Sequence, residues 1–301
     1  VCEGDSLSSL KQFACVSILL AIVLTACSVA SPATENPGQL ETVVAATLQA
    51  HTAEAPAETV AAATPTPAGV EVSFNNVSFV IPNGLASGAT SILEPAVGGD
   101  TAPWEMAPEH IVFKLNGYNG VDPNQSTDPA IYVYPAQAFA EVSPGASLSL
   151  PELQALLASP SAPINRDSAP GIPFYNAGQD LVAKGVRLNF QSGAGIRMIS
   201  RFSQFPGAII KNGQIYHYQG LTSDGKYYVI AILPVVSPLQ STPDNHSADG
   251  VNYPDYASAA PGEMDAYFLA ITGILDAADP SSFTPGLASL DALIQSLTIT
   301  P

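Results

Sequence analysis

The chain changes character along its length. An apolar block at residues 13–26 gives way to small and polar residues, and from Val70 short apolar runs alternate with Gly, Pro, Asn and Asp. In that last region VEVSF and VSFVIP, parted by Asn75 and Asn76, predict a hairpin or a bent first strand. HIVFKLNGY around residues 111–115 and AIYVYP at 130–135 predict further strands. The strongest pattern is GVRLNFQSGAGIRMISRFSQF followed by GQIYHYQGLTSDGKYYVIAILPV, in which Ser223, Asp224 and Gly225 supply turn chemistry between β-branched and aromatic runs. Tyr216 and Tyr218 are expected to pair across this hairpin with Tyr227 and Val229.

Helical periodicity is confined to a few segments. LPELQALLAS at 150–159 is one. PGEMDAYFLAITGILDAA is a second, with Pro261 at a permitted first-turn position and Glu263 and Asp265 near the positive end. Met264, Tyr267, Phe268, Ile271 and Leu275 form its apolar stripe. The third, at 285–295, aligns Leu287, Leu290, Leu293, Ile294 and Leu297, and LTIT is expected to close the chain as a strand. Residues 227–233 are apolar on both faces, so that strand needs cover on both sides. The fold class that follows is α+β, a mainly antiparallel β-sheet covered by helices, in a single globular domain at residues 69–301.

Residues 27–68 are built of Ala, Thr, Pro and Glu and contain no aromatic residue. With nothing large to bury, such a segment cannot offset the entropy of folding and is expected to be a disordered linker. It holds a short repeat, ETVVAAT at 41–47 and ETVAAAT at 58–64, too small for a solenoid. As coil, about 40 residues span on the order of 35 Å.

The apolar block is too short for a membrane span, which needs roughly 20 residues, but suits a secretory signal. Its end, Leu24, Thr25, Ala26 and Cys27, resembles the lipobox of bacterial lipoproteins. That resemblance implies a signal peptide at 1–26, lipidation of Cys27, and an extracytoplasmic protein anchored through that lipid to the bacterial cell membrane or outer membrane. Only Lys11 precedes the block, against Glu3 and Asp5, and the chain starts at Val1. A misplaced or truncated start is expected, with residues 1–10 outside the natural product.

Cysteine usage agrees with this reading. Cys2 and Cys15 fall in the signal, Cys27 carries the lipid, and no other cysteine follows. An internal disulfide and a cysteine nucleophile are thereby excluded from the mature chain. Losing Lys11, Glu3 and Asp5 leaves 8 basic and 24 acidic residues, a net charge of −16 against −17 for the whole chain. Such a surface repels nucleic acid, so none is expected as a partner.

VSFVIPNGL, YYVIAILPV, the late helix and SLTI together resemble PsbP and Mog1-like domains, and the QGLTSDGKYYV block is similar to uncharacterised lipoproteins of filamentous green bacteria. The resemblance implies an accessory, scaffold or protein-binding role and no particular reaction.

Catalytic and cofactor motifs are missing: no GxSxG, P-loop, GxGxxG or HExxH occurs, and GASLSL at 145–150 lacks the second glycine of a nucleophile elbow. No cofactor or metal site is expected. His110, His217 and His246 are far apart in sequence. DPNQSTD at 122–128 begins like a calcium loop but has Thr127 at the glycine position and Val133 at the closing glutamate, so turn chemistry is preferred. PDNHSADGVNYPDY reads as a solvated loop.

Charge segregation is the sharper signal. Lys184, Arg187, Arg197, Arg201, Lys211 and Lys226 cluster between residues 184 and 226, where Asp224 is the only acid. Arg197 and Arg201 should project from one strand face, with Arg187 or His217 brought close by neighbouring strands. An anion or acidic-partner site at Arg187, Arg197, Arg201, Lys211 and His217 is one expectation; pairing of these cations with the chain's own carboxylates is the other.

The reading that follows is a non-enzymatic lipoprotein binding a partner protein or envelope component. A cell-envelope hydrolase is the alternative, and it requires two or more of His110, His217, Asp122 and Asp224 to meet in one pocket. A solute-binding lipoprotein is a third.

Overall fold

The computed structural model describes residues 68–120 and 127–301. Cys27, the signal and the linker lie outside the described residues, as does most of DPNQSTD.

The first hairpin, β1 (Gly69–Phe74) and β2 (Val77–Pro82), turns at Asn75, whose φ of 52° is a left-handed conformation that asparagine tolerates. The closing strand β12 (Thr298–Ile299) pairs with β2, so the two ends of the described fold share one small sheet. The main sheet is built from β3 (Gly88–Glu94), β4 (His110–Asn116), β5 (Ala130–Pro135), β6 (Gly178–Phe190), β7 (Gly193–Ser203), β8 (Gln214–Thr222) and β9 (Tyr227–Val235). Its spatial order is β3-β4-β5-β9-β8-β7-β6, and every pairing is antiparallel. A minor hairpin joins β10 (Ser247–Ala248) to β11 (Val251–Asn252).

Among the described residues four α-helices complete the fold: α1 (Ala136–Val142), α2 (Pro144–Ala158), α3 (Glu263–Ala277) and α4 (Leu287–Gln295). Strand β9 explains how they are placed. Its Val229, Ala231, Leu233 and Val235 join a core with Ile271 and Leu275 of α3, Leu290 and Leu293 of α4, and Phe79 and Ile81 of β2. The alternate residues Tyr228, Ile230 and Ile232 pack with Phe139 of α1 and Leu150, Leu153 and Leu156 of α2. The doubly apolar strand therefore lies between two layers, and the fold is the α+β sandwich expected. Each fully buried Leu or Ile in these layers is worth about 2 kcal/mol relative to exposure.

The β8–β9 hairpin forms at Ser223, Asp224 and Gly225, but its register differs from the one expected. Tyr216 lies opposite Leu233, Tyr218 opposite Ala231, and Val229 opposite Gly220. Space decides this. The Tyr218 hydroxyl lies over Gly195 and Gly220, where added Cβ atoms would come within 2.3 and 2.5 Å of it. The offset is even, so each side chain keeps its face.

Helix starts also shift. Helix α2 begins at Pro144, where Ser143 Oγ accepts from the Ala146 backbone N–H at 3.2 Å, six residues before LPELQALLAS was expected to start. Helix α3 begins after Gly262 at a φ of 84°, which puts Pro261 before the helix and outside its first turn.

Candidate functional site

Helices α1 and α2 pack on β5 and β7. Toward β3 and β4 the same face of the sheet is roofed by the connection at residues 95–109, and a cleft of about 290 Å³ opens beneath it. Its floor follows from strand periodicity. His110, Val112 and Lys114 are alternate residues of β4, and Tyr132 and Tyr134 are alternate residues of β5. Glu94 lies directly opposite His110 and Val112 opposite Tyr132, which aligns these side chains in cross-strand rows. Trp104, from the roof, and Phe174 complete the walls, with Glu105 at the rim.

The aromatic groups are ordered by one another. Tyr134 is held between His110, stacked at 4.3 Å, and Phe139, stacked at 3.9 Å. Tyr132 packs against Phe174 at 4.9 Å with the rings tilted by 50°. Trp104 is 41 % exposed, so its indole is available to a ligand. His110 Nδ1 lies 2.8 Å from the Pro108 carbonyl oxygen, which assigns the proton to Nδ1 and leaves Nε2 as an acceptor. Burial lowers the His110 pKa, outweighing the Pro108 bond and the Glu94 charge, so the ring is neutral at pH 7. The Tyr132 phenol is raised, first by burial and then by the charges of Asp128 and Glu94. Among the described residues Glu94 makes no ion pair, and its carboxylate lies in the field of His110, Tyr132 and Tyr134.

The basic cluster has a different fate. Arg197 and Arg201 do share a face of β7, the one covered by α3 and α4. Arg187 lies opposite Ile196, and His217 opposite Met198, on the other face. The period of the strand thus separates the residues proposed as one anion site. Nor are the cations free. Arg197 Nε donates to Asp291 Oδ1 at 3.0 Å with its side chain 8 % exposed. Arg187 donates to the carbonyls of Leu156, Ser159 and Ala162, capping the end of α2. Arg201 donates to the carbonyls of Gly207 and Ala208 and lies 3.7 Å from Asp180. Lys184 Nζ donates to the carbonyls of Asp276 and Ala278 at the end of α3, and Lys226 pairs with Asp224 at 3.1 Å. Lys211 is exposed. Self-pairing is what is seen, and backbone carbonyls take as large a part in it as carboxylates.

His217 is fully buried, and its ring nitrogens are both engaged. Nδ1 lies 3.2 Å from Ser200 Oγ, which also accepts from Gln179 at 2.9 Å, and Nε2 accepts from Gln219 at 2.7 Å. The Gln219 side-chain oxygen accepts from the Tyr228 hydroxyl. Burial pulls the His217 pKa down to about 3. A serine beside a histidine has the form of a nucleophile and base, but Ser200 and His217 are both 0 % exposed, and no substrate reaches them. His110 lies in the cleft, while Asp224 sits in the β8–β9 turn accepting from Thr222 and the Lys226 backbone. These groups do not meet, and Asp122 lies outside the described residues. In PDNHSADGVNYPDY, Asp244 accepts from Thr242 and the His246 backbone, as a turn aspartate does.

One further concavity, of about 440 Å³, lies beside β6 and is lined by Asp180, Ser203, Arg166 and Phe268. Ser203 Oγ donates to Asp180 Oδ2 at 2.7 Å, Asp180 Oδ1 is buried without a partner, and burial raises the Asp180 pKa against the pull of Arg201.

No family model, curated protein or solved structure matches the chain. The cleft residues Glu94, Trp104, Tyr132 and Phe174 escape a reading of the sequence, although AIYVYP carries the needed signal: two tyrosines at alternate positions share one face.

Proposed function

We propose that this protein is a lipid-anchored extracytoplasmic binding protein, tethered through Cys27, whose folded part holds an envelope component in the aromatic cleft without transforming it. The observation that carries the reading is the cleft itself: an accessible, mostly apolar concavity on the sheet, with the rings of Trp104, Tyr132, Tyr134 and Phe174 and a few polar groups converging on it. The rings of His110, Tyr132, Tyr134 and Phe174 are held by packing on one another or on Phe139, so little ordering of these is needed on binding. The resemblance of the chain to PsbP and Mog1-like domains is in keeping with an accessory role.

Trp104 is the only tryptophan in the chain, so intrinsic fluorescence reads the cleft directly. Titration of the full chain with fractionated cell-envelope extract should give a saturable change in emission, with the bound compound recovered at unchanged mass. Flat emission with every fraction sinks the reading, and recovery of an altered compound converts it to an enzyme. The anchor is tested separately: the precursor should acquire a diacylglycerol adduct and cleavage before Cys27, both lost in Cys27→Ala.

A hydrolase remains the second reading because of Asp180. A carboxyl with a raised pKa, accepting from a serine hydroxyl at the wall of a concavity, is the arrangement an acid or base would need. Asp180→Asn should leave ligand binding at the cleft unchanged, and a hydrolytic activity that it abolishes would favour this reading.

A further inference from the structure

We infer that the aromatic cleft selects a methylated ammonium group, held over the rings and neutralised by Glu94. This rests on the cleft being the binding site, and it reverses the sign of ligand expected from the basic cluster. The lining contains no Asn, Gln, Arg, Ser or Thr side chain. Its polar atoms belong to the charged residues Glu94, Glu105 and Lys114, to His110, and to the edges of the Trp104, Tyr132 and Tyr134 rings. An anion needs positive charge, yet Arg187, Arg197 and Arg201 are engaged elsewhere, His110 is neutral, and Lys114 is the one cation of the lining against the two carboxylates Glu94 and Glu105. What the cleft offers is the rings of Trp104, Tyr132 and Phe174 beside Glu94, a carboxylate with no ion pair among the described residues, with Glu105 also in the lining.

Aromatic faces attract a cation within about 6 Å of the ring centre, and the attraction grows when the cation is easily desolvated. A primary ammonium asks for three acceptors and is strongly hydrated; methylation removes the donors, reduces hydration and adds apolar surface that fits an aromatic wall. Glu94 fixes where the charge sits. It lies opposite His110 at one end of β4, whereas the one cationic lining residue, Lys114, is four residues further along, on the order of 13 Å away. The ammonium group therefore occupies the Glu94 end, away from Lys114.

The decisive experiment titrates the full chain with choline chloride and with 3,3-dimethylbutan-1-ol, which has the same shape with carbon in place of the charged nitrogen. Sodium chloride holds ionic strength constant and Trp104 emission is the readout. Choline should bind saturably and at least about tenfold more tightly than the neutral isostere. Glu94→Gln, with unchanged far-UV circular dichroism, should weaken choline by roughly tenfold and leave the isostere unaffected. Should Glu94→Gln fail to fold, Glu105→Gln should show the same selective loss to a smaller degree. Equal affinity for choline and isostere, or a choline affinity indifferent to both substitutions, overturns the inference while leaving an apolar binding cleft. No response to either compound, with envelope fractions still shifting Trp104, also overturns it and spares the proposed function. Silence toward all of them removes both.

Discussion

The two ends of the main sheet treat their polar groups in opposite ways. At the β6–β7 end almost every cation is bonded to the chain itself, and from β7 inward Ser200, His217, Gln219 and Tyr228 form a closed buried network across β7, β8 and β9. At the β3–β5 end Glu94 has no ion pair among the described residues, the rings of Trp104 and Tyr132 meet solvent, and an open cleft lies beside them. Satisfied groups hold a fold together; accessible groups left unsatisfied are available to something else. Charge density alone singles out the end whose cations are already bonded, because it counts cations and does not ask what they touch.

The comparison breaks most visibly if a satisfied group is removed. Asp291 accepts from Arg197 at 3.0 Å and from the Tyr216 hydroxyl at 2.8 Å, both deep under α4. Asp291→Ala leaves a buried guanidinium uncompensated and should lower the unfolding free energy by about 3 kcal/mol. Urea denaturation measures it. Trp104 emission in the folded state should not change, and a shift there would mean that the two ends are coupled.

His217 makes the next largest effect, and it appears as pH dependence. Its folded pKa, about 3, lies below the ordinary 6.5, so between those values the unfolded chain binds a proton that the folded chain refuses. Stability is complete above pH 6.5 and falls as the pH drops toward 3. From pH 6.5 to 5 the loss is about 2 kcal/mol. His217→Gln should remove that part of the slope, seen as a smaller change in the urea midpoint between the two pH values. An identical slope in wild type and variant would place the titration elsewhere.

How much of this the sequence discloses depends on the range of the interactions. The layered architecture is legible because β9 is apolar on both faces, a local pattern with one structural solution. The β8–β9 turn is legible from Ser223, Asp224 and Gly225. Its register is not, since it depends on Gly195, a residue of a third strand that makes room for Tyr218. The site is hidden for the same reason. Whether Arg187 and Arg197 share a face depends on the irregular β6–β7 register, with its shift between Ala183 and Val186. Glu94 and Phe174 meet only through the fold. Backbone carbonyls, the partners of Arg187 and Lys184, carry no letter of their own in a sequence.

The smallest expected effect is the most searching for the comparison, because it asks whether pairing or burial is what matters. Arg166 and Asp265 form a shorter ion pair than Arg197 and Asp291, 2.7 against 3.0 Å, yet their side chains are 38 % and 74 % exposed. Water already solvates both charges, salt screens them, and Arg166 keeps its contact with the Phe268 ring at 5.5 Å without the carboxylate. Asp265→Asn should therefore cost only about 0.5 kcal/mol, part of it from the favourable place of a carboxylate in the first turn of α3. The cost should fade in 1 M sodium chloride, where the loss in Asp291→Ala persists. If Asp265→Asn proved as damaging as Asp291→Ala, distance would outrank burial, and unpaired Glu94 would lose its meaning as a mark of function.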